Sequence, residues 1–130
     1  MRIAGAALAV LLTCSVPASG TGSSLTMLDQ LEPGRWEIRE RSTSVAPVRV
    51  CVAHGQKLIQ LRHPDMACER YVVQDTATEV VVQYTCKGRG YGRTQIRKET
   101  NRLVQIDTRG IAGGLPFELV GEARRIGECN

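Results

Sequence analysis

Four cysteines, Cys51, Cys68, Cys86 and Cys129, constrain this chain more than any other feature. They stand among 130 residues that include one Phe, one Trp and three Tyr, too few large aromatics for an extensive apolar interior. An even set of cysteines in a small exported domain reads as two disulfides, formed in an oxidising compartment. Each cross-link typically contributes ~2–4 kcal/mol, a large share of the ~5–15 kcal/mol that holds a domain folded.

The export reading comes from the start, "MRIAGAALAVLLTCSVPASG". Arg2 precedes an apolar stretch over residues 3–16, shorter than the about 20 residues a membrane-spanning helix needs. Val16 and Ala18 occupy the two small-residue positions of a cleavage site before Ser19, so residues 1–18 read as a signal peptide. Cleavage as late as residue 20, before Thr21, fits as well. The alternative is a lipoprotein anchored through Cys14: "LLTC" is close to a lipidation box, with Thr13 where such boxes usually carry Gly, Ala or Ser. The expected location is periplasmic or secreted, with membrane attachment only if Cys14 is lipidated.

Loss of residues 1–18 removes Arg2 alone among the charged residues, taking the net charge from +4 to +3. A mildly basic domain fits a small apolar or anionic envelope ligand, or another envelope protein, without specifying either. Residues 19–30 are small and polar at first and read as a flexible leader, leaving residues 31–130 as one disulfide-linked β-rich domain.

After the Pro33-Gly34 turn, Trp36, Ile38 and Glu40 alternate with Arg35, Glu37 and Arg39, the period-2 pattern of a half-buried strand. Trp36 reads as the structural anchor of that strand rather than a ligand platform. "PVRVCV" is a second strand, and "AHGQKLIQLRHPDMAC" the one helical stretch, stopped at Pro64. From Glu69 onward, two hairpins around "QDTAT" and "TN" precede a last strand in "FELVGEARRIGEC". The expected class is mainly β (α+β): a curved antiparallel sheet or incomplete barrel of six to seven strands with one short helix.

The first hairpin bears on the disulfides. A tight turn at Thr76-Ala77 sets Tyr71 against Val82 and Val73 against Val80, one coherent apolar face. Cys68 and Cys86 then lie on opposite faces. A one-residue shift opposes the two cysteines but brings Arg70 and Gln74 into the apolar face. The first register is preferred, giving the pairs Cys51–Cys68 and Cys86–Cys129.

Chemistry-bearing patterns are sparse. His54 and His63, with Asp65, Cys68 and Glu69 nearby, match no common zinc spacing and read as a solvated pair at the helix ends. No Ser sits on a glycine-flanked elbow to serve as a nucleophile. "CKGRGYGR" is basic and glycine-rich, yet in an exported protein it reads as a flexible loop rather than a nucleic-acid site. The Arg124-Arg125 pair sits on a strand and points to both faces. No catalytic residue, cofactor or metal is expected.

Taken in order, Pro33, Gly34, Trp36 and Glu37, then Cys51, Cys68, Cys86 and Lys87, then Glu122, Ala123, Arg124, Gly127 and Cys129 resemble the domain of unknown function 3617 family. Arg125 and Ile126 stand where many members carry an aromatic residue, and Asn130 where many carry a Pro-Gly-Asp tail. The resemblance implies a small secreted or periplasmic bacterial protein and supplies no catalytic residues. The expected function is a non-catalytic envelope binding protein using the concave sheet face. The alternatives are an interaction module that adds a partner's strand at an edge such as the first strand, and an unrecognised hydrolase.

Overall fold

The computed structural model describes Cys14 and residues 25–130, so the expected signal segment and the start of the leader lie outside the described residues, apart from Cys14, which is exposed and unpaired. Seven strands are β1 (Gly34–Glu40), β2 (Val48–Val52), β3 (Glu69–Asp75), β4 (Glu79–Cys86), β5 (Gly90–Thr100), β6 (Leu103–Ala112) and β7 (Leu115–Gly127). They form one open antiparallel sheet in the order β2-β1-β7-β6-β5-β4-β3. The strands from β3 to β7 meander, and β1 docks on β7, which leaves β2 and β3 as the edges. β1 is therefore an interior strand, not the free edge expected for strand addition.

Between the edge strands the chain crosses from one side of the sheet to the other through a 3-10 helix, Gly55–Gln60. This replaces the longer helix expected over the same stretch: only one short run forms before residues 61–68 turn back. Val50 of β2 and Arg70 of β3 line a common depression beside this crossing. The sheet thus curves until its edges flank the crossing segment, and it stays open because the segment occupies the gap. Leu58 and Ile59 are fully buried there, against an inner face that includes Trp36, Val82, Ile96 and Val104.

Part of the stretch expected to be a flexible leader is built into this core. Thr26–Asp29 makes one turn of helix, α1, and Leu25, Met27, Leu28 and Leu31 are all buried. Trp36 is wholly buried, and its indole N–H donates to the Glu32 carbonyl at 3.0 Å.

Both disulfides differ from the expected pairs: the bonds are Cys51–Cys129 and Cys68–Cys86, not Cys51–Cys68 and Cys86–Cys129. The first difference follows from strand order. Arg35 of β1 pairs with Cys51 on one side and Gly127 on the other, so Cys129 reaches past β1 to the edge strand, with Cα atoms 5.7 Å apart. The second follows from register. The β3–β4 turn is at Ala77-Thr78, closed by Thr76 N–H on the Glu79 carbonyl. The ladder then shifts between Val72 and Gln74. Beyond this bulge Glu69 faces Thr85 and Arg70 faces Tyr84, so Cys68 and Cys86 oppose each other with Cα atoms 4.3 Å apart. The bulge keeps Gln74 out of the apolar face, removing half of the objection to this register. Tyr71 and Val73, expected inside, are exposed.

The glycine-rich stretches are tighter than expected. In "CKGRGYGR" only residues 87–89 turn, and β5 begins at Gly90. Gly113-Gly114, with φ of 58° and 78°, makes a two-residue hairpin between β6 and β7. Positive φ at both positions is what a hairpin of that length demands.

Candidate functional site

The inner face carries a buried polar chain at its centre. His63 is 1% exposed, so it is not half of a solvated pair; His54 alone is exposed, ahead of the 3-10 helix. His63 Nε2 lies 3.2 Å from the Arg89 carbonyl, which can only accept, so Nε2 carries the proton. Nδ1 is then the acceptor for the Tyr84 hydroxyl at 2.9 Å. Beside it, Thr94 donates to the Ile59 carbonyl at 2.5 Å, and the Thr108 hydroxyl lies 2.7 Å from that of Thr94. Burial raises the Tyr84 pKa above its ordinary value, with the Thr108 hydroxyl and the Arg62 charge acting in the opposite sense. Every member is engaged and covered, so this chain fastens the crossing segment to the sheet and offers no open base. Gly92 makes room for it: a Cβ there would lie 2.5 Å from the Tyr84 hydroxyl.

The open part of the inner face is the seam between β2, the crossing segment and β3. Three depressions adjoin along it, of about 490, 220 and 200 Å³. The first two share Lys57 and Arg70; the second and third share Val50 and Leu61. The third is mostly apolar, with Ile38, Val48 and Leu119 on its walls and Arg62 and Glu40 on its rim. Along the inner side of β2 cover falls away from buried Val52 through half-buried Val50 to Val48, which is 56% exposed.

Arg70 is the unusual member. β3 register places it on the inner face, where its guanidinium donates to Gln56 Oε1 at 3.0 Å and Gln60 Oε1 at 2.9 Å. The residue is exposed overall, yet partial desolvation lowers its pKa. Gln60 is buried and fully used: its amide N–H groups also hold the His63 and Met66 carbonyls. Among the described residues no carboxylate lies within ion-pair distance of Arg70 or Lys57, although Asp29 and Asp65 also border the seam. Lys57 Nζ donates to the Cys51 carbonyl at 2.8 Å. Sequence reasoning set Arg70 aside as an objection to a register; that objection was the one signal pointing to it.

The outer face is different in kind. Several of its cations are matched by carboxylates, as in Arg109 with Asp107 at 3.0 Å and Arg39 with Glu37 at 2.9 Å, whereas Arg41 donates to the neutral Gln105 amide and Arg93 has no ion pair among the described residues. Such exposed pairs contribute about 0–1 kcal/mol each and describe a solvated surface. The two arginines of the last strand part company, Arg124 exposed near Glu122 and Arg125 bonded to the Pro33 carbonyl and Glu128. Among the described residues, no three His, Cys, Asp or Glu side chains converge into a metal-binding group.

Compared with known proteins, the chain matches no curated protein and no solved structure. A family model described as "Protein of unknown function (DUF3617)" matches residues 31–129, from within the α1–β1 connection to the last cysteine. That span takes in the whole sheet and both disulfides, and the chain belongs to the DUF3617 family.

Proposed function

We propose that this protein is a non-catalytic binding protein of the bacterial envelope that takes a small apolar or anionic ligand on its inner sheet face. The observation that carries the reading is the seam, where apolar side chains of an edge strand stay open beside cations without carboxylate partners. The full engagement of His63 and Tyr84 also favours binding over proton transfer. An exported location is supported by the two disulfides, which persist in oxidising compartments. Intact mass of the protein from an envelope fraction tests the location: a chain starting at Ser19 or Thr21 without acyl mass is expected. Acylated Cys14 at the N-terminus would make it a lipoprotein instead. Native mass spectrometry of the same sample tests the binding. A co-purifying small molecule released on unfolding is expected, and a uniformly ligand-free protein that no lipid or glycan stabilises would refute the reading.

Strand addition by a partner protein has one observation in its favour, the free edges of β2 and β3. Both are blunted, β2 by its five-residue length and the preceding Pro47, β3 by its bulge. Ligand binding in the seam is the better-supported reading.

A further inference from the structure

We infer that the seam binds a single-chain carboxylate amphiphile, its carboxylate on Arg70 and Lys57 and its alkyl chain laid past Val50 and Leu61 toward Val48. This inference rests on the binding reading above and gives it a ligand class.

The head-group argument starts from Arg70. A guanidinium has five N–H donors, and the Gln56 and Gln60 amide oxygens take two, leaving three. Both protein partners are neutral, so the charge is oriented but not compensated. The three remaining donors of this oriented guanidinium suit a planar anion, and a carboxylate is such a group. Lys57 lines both of the depressions that Arg70 lines, and one of its three ammonium protons is committed, to the Cys51 carbonyl. Two cations thus line one end of the seam, with Asp29 and Asp65 on its border but outside ion-pair distance of either.

The chain argument starts from the other end. The depression holding Arg70 and Lys57 is walled on its far side by Val50 and Leu61, and those two residues also wall the next depression. A ligand fixed at the cations therefore has a continuous apolar path along the inner side of β2. Exposed Val48 and the side chain of Ile38 receive its far end. A polar or compact anion would leave that path wet, and a neutral alkane would leave the cations unmatched. An amphiphile satisfies both.

The test uses the disulfide-intact protein and isothermal titration calorimetry with three probes of equal chain length: decanoate, methyl decanoate and decyltrimethylammonium. Decanoate is expected to bind at one site, about tenfold or more tighter than either analogue, since the charge-assisted bonds go only to the anion. Arg70→Gln and Lys57→Gln are each expected to weaken decanoate by a similar factor. Lys57 is exposed, so its variant remains a fair test if the Arg70 variant unfolds. Methyl decanoate binding as tightly as decanoate would overturn the anion assignment while leaving a binding seam in place. No binding of any probe to folded protein would overturn the inference. The broader reading would then fall only if the envelope-purified protein also carried no ligand.

Discussion

Replacing both Cys51 and Cys129 with Ser should cost about 4.3 kcal/mol of unfolding free energy, nearly all of it through the unfolded chain. The bond closes a separation of 78 residues. With loop entropy growing as 1.5R ln n on a constant offset, that length gives about 4.5 kcal/mol at 25 °C. Cys68–Cys86 short-circuits part of the loop, reducing the effective length to about 60 residues and the cost to about 4.3 kcal/mol. Packing contributes little, because Cys51 and Cys129 are both exposed and their loss opens no cavity. Against a total of about 5–15 kcal/mol, such a loss takes from just under a third to most of the stability. Urea denaturation followed by the fluorescence of Trp36, buried when folded, measures it directly. Native-state hydrogen exchange adds a local signature: amides of β2, an edge strand of five residues, should lose protection before those of β5 and β6. A measured cost below about 1.5 kcal/mol would refute the loop-entropy reasoning for this bond.

Tyr84→Phe should cost about 1–3 kcal/mol at neutral pH, because His63 Nδ1 loses its buried donor. The folded-state pKa of Tyr84 is raised, so its contribution is full below the unfolded value near 10 and declines as pH climbs through the folded value. The urea midpoint of the wild type should therefore fall on the alkaline side more steeply than that of the variant; parallel curves would contradict this. Gly92→Ala should destabilise by about 1–3 kcal/mol, since its methyl meets the Tyr84 ring, and an unchanged melting temperature would show the ring free to move. Trp36→Ala should cost about 3–5 kcal/mol, and a variant as stable as wild type would remove Trp36 from the core.

Strand existence was legible because it rests on alternation within single segments, as in Trp36 and Ile38 against Arg35 and Glu37. Pairing was less legible because it depends on what lies across the sheet. The β3–β4 register looked unfavourable with Arg70 facing inward, and it becomes favourable only when Gln56 and Gln60 arrive from the crossing segment. A bulge at Val73 has no sequence mark of its own, yet it decides which face every residue from Cys68 to Val72 takes. The Cys51–Cys129 bond required knowing that β7 lies beside β1, a contact between the two ends of the domain. The seam was missed for the same reason: Val50 and Arg70 sit on opposite edge strands and border one depression only in the folded sheet.

The position of β7 sets the order in which the domain can be completed. Among the described residues it is the last strand in sequence and lies between β1 and β6, so the sheet has no continuous ladder until β7 is in place. For a chain that emerges N-terminus first, the β1–β2 hairpin and the β3–β6 meander wait as two unjoined halves. The C-terminal strand then inserts between them, and Cys129 can close on Cys51 only after it has done so. Without β7 no ladder hydrogen bonds join the β1–β2 hairpin to the β3–β6 meander. The disulfide just beyond β7 is thus a latch that can close only after β7 has inserted between β1 and β6.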